Sequence, residues 1–212
     1  MTSRREFLEA AALTALPVVA GVSLSGAAVA ATKPVLANAP SRASLSAAAD
    51  FHLVLFDARY SEARSAATRI GGAGAATHAL ADGDITQVWL EHIGPAWQRG
   101  PAVIAGVTAR PALFCLEQFA LSSGLRVVFH AEHVVHADGR TDHVLLRGAE
   151  SVGLSAVELA GAGAQWASRV ADALVSYRPQ SDGPRFGRSN AALEPVLPPQ
   201  AQLLTSWIIA AA

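Results

Sequence analysis

Short apolar runs alternate with helical patterns over residues 52–129. The runs at 52–56, 76–81, 101–107 and 125–129 have the length of buried strands, and Gly or Pro residues punctuate the stretches between them. Strand–helix units in succession predict a parallel sheet with right-handed crossovers. Near-continuous apolar strands also indicate burial on both faces of the sheet. We therefore expect an α/β fold with three layers and a mostly parallel sheet, in the flavodoxin-like or Rossmann-like arrangement.

The pattern changes after residue 129. A second β-prone run at 141–147 follows the first across Asp138-Gly139, a dipeptide typical of hairpin turns. We expect an antiparallel hairpin at the edge of the sheet. An Ala-rich stretch over 155–177 predicts one long helix, 179–199 reads as a Pro- and Gly-rich loop, and 203–209 is a candidate last strand.

Four of the seven histidines lie in this hairpin, so its register decides which of them meet. A two-residue turn at Asp138-Gly139 pairs Val134 with His143 and Glu132 with Leu145. Since side chains alternate between faces, one face then carries a candidate polar site. Its members are His130, Glu132, His136, His143 and Arg147.

Three chemistries are open to this set. Glu132, His136 and His143 are ligand types for a divalent metal. Alternatively, Glu132 orients a histidine that acts as a general base or contacts a ligand. The third interpretation is a solvated edge strand, whose polar side chains discourage aggregation.

A second candidate site follows from the expected fold. In open parallel sheets, ligands bind beyond the carboxyl ends of strands, where the strand order reverses. The sequence supplies a strand-end pocket there, formed by Asp57, Arg59, Asp82, Thr108 and Arg110. Asp57 suits proton, metal or ribose binding, or it caps the next helix or pairs with Arg59. Thr108 is expected to cap a helix, and Arg110 to clamp an anion or to lie on the surface.

Several functional signals are absent from the sequence. Cys115 is the single cysteine and lies in an apolar helical stretch, so we expect an inert core thiol. The cysteine count excludes covalent c-type haem and iron–sulfur clusters. Gly71 to Gly74 follow a predicted helix and are therefore no phosphate loop. The near-neutral formal charge of −1 argues against nucleic acid as a partner.

The first residues resemble a twin-arginine (Tat) export signal. Arg4 and Arg5 precede Phe7 and Leu8, a moderately apolar stretch follows, and Ala28-Val29-Ala30 fits the small-residue cleavage pattern. The resemblance implies export of a folded protein by the Tat translocase to the periplasm. A Sec signal and an uncleaved membrane anchor remain the alternatives. The domains are then a signal (1–30), a flexible leader (31–49), an α/β domain (50–177) and a loop with a C-terminal strand (178–212).

Two functions remain open on this evidence. The first is a non-catalytic accessory or ligand-binding module of the cell envelope that partners an exported oxidoreductase or another protein. The second is a small metal-assisted or acid–base hydrolase that uses the hairpin histidines or the Asp57 loop. The absence of a recognised catalytic motif favours the module, for which no mature membrane span is expected.

Overall fold

A single mixed sheet of six strands organises the part of the chain that the structure describes. This computed structural model describes residues 50–178, 197 and 200–211. The predicted export signal, the leader and most of the loop expected over 179–199 lie outside those residues. The strands are β1 (Leu53–Asp57), β2 (Thr77–Leu80), β3 (Ile104–Ala109), β4 (Leu125–Val135), β5 (Thr141–Arg147) and β6 (Gln202–Ala211).

Helices connect most of these strands. Their bounds are α1 (Ser61–Gly72), α2 (Thr86–Val88), a π-helical turn (Trp89–Ile93), α3 (Gly94–Arg99), α4 (Arg110–Ser122), α5 (Ala156–Ala162) and α6 (Trp166–Ser176). The single long helix predicted over 155–177 is therefore wrong. Gly163, with φ of +51°, opens a short 3₁₀ turn that separates α5 from α6. Among the described residues, no helix combines the length and apolar character that crossing a membrane requires.

The sheet order, β2-β1-β3-β6-β4-β5, confirms an α/β fold but corrects the expected sheet. Only the pairings of β1 with β2 and with β3 are parallel, whereas the other three pairings are antiparallel. The mostly parallel, flavodoxin-like sheet is wrong because β6 runs antiparallel between β3 and β4. The hairpin of β4 and β5 does lie at one edge, as expected.

The composition of β6 explains its central position. Seven consecutive residues, from Leu204 to Ala210, are buried, and Trp207, Ile208 and Ile209 are fully enclosed. Each large apolar side chain that leaves water stabilises the fold by about 1.5–3 kcal/mol. Such a strand gains most where neighbours cover it on both edges and both faces.

Helices cover both faces of the sheet. One apolar core joins the sheet to α1, α5 and α6, and it includes Ile70, Leu159 and Trp166. The other joins it to the π-helical turn, α3 and α4, and it includes Ile93 and Leu116. Polar side chains of the hairpin therefore lie either on the face that packs against α4 or on the face that packs against α6.

Candidate functional site

The hairpin turn is longer by one residue than the sequence predicts. The ladder runs to Val135 and Thr141, and His136 donates its N–H to the carbonyl of Arg140 at 2.8 Å. Ala137, Asp138 and Gly139 therefore form a three-residue loop. Gly139 has φ of +83°, the left-handed residue that such loops use. The added residue shifts β5 by one position against β4.

This shift divides the predicted polar site between the two faces. His143 pairs with His133, and Glu132 pairs with Val144, so His143 points away from Glu132. The prediction that His130, Glu132, His136, His143 and Arg147 share a face is wrong for His143. Glu132, His136 and His143 cannot together bind one metal ion, and the described residues contain no group of three or more candidate metal ligands.

On the α6 face, the two histidines form a buried hydrogen-bonded chain. The Nδ1 atoms of His133 and His143 are 2.8 Å apart, and Nε2 of His133 lies 2.8 Å from the Ser206 hydroxyl. With its proton on Nδ1, His133 donates to His143 and accepts from Ser206; the other tautomer reverses both directions. The ring centroid of Trp166 lies 4.4 Å from that of His133.

A serine, a histidine and a third group in this order resemble an activated nucleophile. Ser206 and His133, however, are both 0% exposed. A substrate cannot reach the Ser206 hydroxyl. The hydrogen bonds of His143, His133 and Ser206 therefore satisfy buried polar groups and support the packing of the hairpin on α6.

Burial lowers the pKa of several histidines. It places that of His133 well below 6.5, and it lowers that of half-buried His143 as well. For His130, burial, followed by the positive charges of Arg110 and Arg147, lowers the pKa from 6.5 to about 4. The folded protein therefore keeps the imidazole of His130 neutral under mildly acidic conditions.

We expect stability to decrease as the pH falls from 6.5 toward 4. In that range the unfolded chain binds a proton at His130 that the folded protein does not, because the folded pKa is about 4. The free energy of unfolding then falls by about 1.4 kcal/mol per pH unit for this residue. Stability from the neutral ring is fully present above pH 6.5 and is lost below it. Urea denaturation at several pH values in this range should show that the free energy of unfolding of His130→Gln decreases less steeply with falling pH than that of the wild type.

The matched control for that series is His52→Gln, which changes an exposed histidine. Its slope should follow that of the wild type. Equal slopes for His130→Gln and the wild type would contradict the burial of a neutral imidazole at this position.

The residues of the predicted strand-end pocket fall into two groups, one around Asp57 and Arg59 and the other at Thr108 and Arg110. Asp57 is fully buried and accepts hydrogen bonds from Nε and a terminal nitrogen of Arg59 at 2.9 and 2.7 Å. The loop after β2 packs on this pair, since a Cβ on Gly83 would lie 2.7 Å from the Arg59 guanidinium. Asp82, next to Gly83, has φ of +51°. Both oxygens of Asp57 are thus occupied, as one of the two sequence interpretations predicts.

Thr108 does not cap α4, which corrects the sequence interpretation. It is the buried penultimate residue of β3, and its hydroxyl accepts from Nε1 of Trp207 at 3.0 Å. Arg110, at the start of α4, lies 3.7 Å from Glu132 of β4. This ion pair links the predicted strand-end pocket, which includes Arg110, to the predicted polar site of the hairpin, which includes Glu132.

The pair also marks one end of an open groove between α4 and the hairpin. Arg110, Phe114, Glu117 and Leu121 follow helical spacing and form one stripe of α4. Opposite this stripe, the α4 face of the hairpin carries His130, Glu132, Val144 and Arg147. We call this region the α4–hairpin groove. At its far end, a cavity of about 300 Å³ is lined by Glu117, Leu121, Arg126, Val127 and Arg147.

The groove contains polar groups without complete partners. Nε2 of His130 is buried and has no hydrogen-bond partner among the described residues. Arg147 donates to the carbonyl of Val127 at 3.0 Å, and no described carboxylate forms an ion pair with it. A buried nitrogen without a partner is costly, and a water molecule or a bound ligand would complete it.

No comparison with known proteins identifies this chain. Neither family models nor curated proteins nor solved structures match it.

His136 lies apart from the groove cavity, near the turn. Its Nε2 is 2.7 Å from Asp142, which also accepts from Arg140 at 2.7 Å. The hydrogen bond with His136 is the largest cause that lowers the pKa of Asp142. These groups satisfy one another at the surface and stabilise the end of the hairpin.

Sequence reasoning missed one wall of the groove. It assigned Cys115 to the core, whereas the thiol is exposed. The core face of α4 consists of Ala112, Leu113, Leu116 and Ala120. Phe114 and Leu121 lie outside that face, at 61% and 50% exposure. Apolar residues on a second side of a helix were the available signal, since an ordinary surface helix has one apolar stripe.

Proposed function

We propose that this chain is an exported, non-catalytic ligand-binding module of the cell envelope, with its site in the α4–hairpin groove. The observation that carries the proposal is the buried Nε2 of His130, which has no hydrogen-bond partner among the described residues and lies beside Arg147, with which no described carboxylate forms an ion pair. The adjoining cavity of about 300 Å³ is at the lower end of the range for ligand pockets.

The state of the candidate catalytic groups also supports a non-catalytic role. Ser206 is buried behind His133, and both oxygens of Asp57 accept hydrogen bonds from Arg59. A nucleophile or general base must contact its substrate, and Asp57, like Ser206, is 0% exposed. One form of the hydrolase alternative, which uses the hairpin histidines, placed His143 beside Glu132, and the hairpin register separates these two residues.

Native mass spectrometry of the protein recovered from the periplasm tests this function. We expect a mass above that of the chain by one small molecule, which denaturation releases. Arg147→Gln should reduce the occupied fraction, because a charge-assisted hydrogen bond contributes about 1.5–3 kcal/mol. Arg99→Gln, at an exposed position of α3, is the control and should leave the fraction unchanged.

The same preparation tests export. If the Tat assignment holds, the variant carrying Arg4→Lys and Arg5→Lys stays in the cytoplasm. A bare mass for the periplasmic wild type would contradict the binding function, and a periplasmic double variant would contradict the export route.

An accessory role with a protein partner is supported by an apolar surface at the π-helical turn, on the side of α4 that faces away from the groove. Leu90 of the π-helical turn is 65% exposed, and Trp89 stacks on Phe119 of α4 at 4.2 Å between ring centroids. Exposed apolar side chains in one region are typical of contact surfaces. Capture of a stoichiometric oxidoreductase from periplasmic extract would support this role, and its absence would contradict it.

A further inference from the structure

We propose that the α4–hairpin groove binds a small amphipathic monocarboxylate, with the carboxylate at Arg147 and His130 and the hydrocarbon part along α4. This inference rests on the proposed ligand-binding function and specifies its ligand class.

The first step concerns the side chains that face the carboxylate. His130 and Arg147 are cross-strand partners on the α4 face of the hairpin, so their side chains point into the same region. Arg147 uses one guanidinium nitrogen for the carbonyl of Val127, which fixes the side chain and leaves other N–H groups for a ligand. A planar guanidinium matches a carboxylate in shape and charge.

The second step concerns the unpartnered nitrogen. A neutral imidazole protonated on Nε2 donates a hydrogen bond there, and a carboxylate oxygen accepts it. Nε2 of His130 has no such acceptor among the described residues. One ligand group that bridges Arg147 and His130 therefore satisfies a desolvated donor and a guanidinium together.

The third step concerns the apolar wall. Phe114, Leu121 and Val144 are 61%, 50% and 49% exposed, and they lie on the stripe and the hairpin face that border the groove. Large apolar side chains at this exposure gain from contact with hydrocarbon. A ligand with a polar head at Arg147 extends its apolar part along these residues.

The final step sets the ligand charge. Arg126 and Arg147 line the cavity together with Glu117, so its described lining carries one more positive than negative charge. A monoanion complements this excess, whereas the second charge of a phosphate monoester meets Glu117. A cavity of about 300 Å³ suits a short chain or a single ring.

Isothermal titration of the mature protein with octanoate and with octanamide tests the ligand class. The two probes share the hydrocarbon part and differ in charge. We expect octanoate to bind at least roughly tenfold more tightly, since hydrogen bonds to charged groups are the stronger ones. Arg147→Gln should abolish this preference, and Arg99→Gln should preserve it. Circular dichroism and thermal unfolding establish that each variant is folded.

The outcomes separate this inference from the proposed function. Equal binding of octanoate and octanamide, or a charge preference that survives in folded Arg147→Gln, overturns the carboxylate assignment. If neither probe binds but the native protein carries a small molecule that Arg147→Gln loses, the ligand class is wrong and the binding function stands. If neither probe binds and the native mass is bare, both fail.

Discussion

Gly148→Ala is expected to lower the free energy of unfolding by about 3–5 kcal/mol, from backbone strain and overpacking together. Gly148 directly follows β5 and has φ of +64°, a conformation that L side chains rarely adopt. A Cβ at this position would lie 2.0 Å from the carbonyl oxygen of Val128. That oxygen belongs to the backbone of β4 and cannot move like a side chain, so the two strands would have to separate.

The position of Val128 explains why the approach is so close. The pairing of β4 with β6 shifts register between Val127 and Phe129, which leaves Val128 as the extra residue of a bulge. Gly148 packs against this bulge as the chain leaves the hairpin. Separation of β4 and β5 at this bulge should therefore disturb the α4–hairpin groove as well as lower the free energy of unfolding.

Gly161→Ala provides the matched control in urea denaturation. Gly161 lies in α5, and a Cβ there would meet no atom within 4 Å. The helix propensity of alanine should leave this variant unchanged or stabilise it by up to about 1 kcal/mol. A Gly148→Ala variant within about 1 kcal/mol of the wild type would show that β5 does not approach β4 as described.

Arg59→Gln should be more destabilising than Asp57→Asn, by about 3 kcal/mol against about 1 kcal/mol. The two side chains form one ion pair, but the Asp57 side chain is 0% exposed and that of Arg59 is 46% exposed. Removal of the Arg59 side chain leaves a buried carboxylate whose one remaining donor among the described residues is the backbone N–H of residue 59, at 3.2 Å. Removal of the carboxylate charge leaves a guanidinium that can turn to water.

Chemical denaturation of both single variants tests this asymmetry. The reverse order, or equal effects, would indicate that the pair is solvated and that Asp57 remains available for binding. In that event the strand-end pocket would regain the role that the sequence suggested for it.

Local patterns predicted the element types well. The run at 141–147 is β5 at the predicted bounds, and 203–209 falls within β6. The position of β6 was not predictable, because an apolar strand pattern carries no information about which neighbours it will pair with. Its insertion between β3 and β4 follows from tertiary packing, which buries Trp207 against Gly106.

The candidate site depended on a single turn residue. Asp138-Gly139 indicates a hairpin, but the same dipeptide fits both two-residue and three-residue loops. Gly139 occupies the left-handed position of the longer loop, and one residue of register moves His143 to the opposite face. His130, Glu132 and Arg147 remain on one face, because the pairing of β4 with β5 shifts register between His130 and Ala131. This shift pairs Arg147 with His130.

Amide chemical-shift mapping during an octanoate titration tests the central claim most directly. The account predicts shifts along Arg110 to Leu121 of α4 and around His130 and Arg147, with little change near Asp57 and Arg59. Shifts confined to the ends of β1 and β2 would contradict a binding site in the α4–hairpin groove, and an unchanged spectrum at saturating octanoate would contradict a carboxylate ligand there.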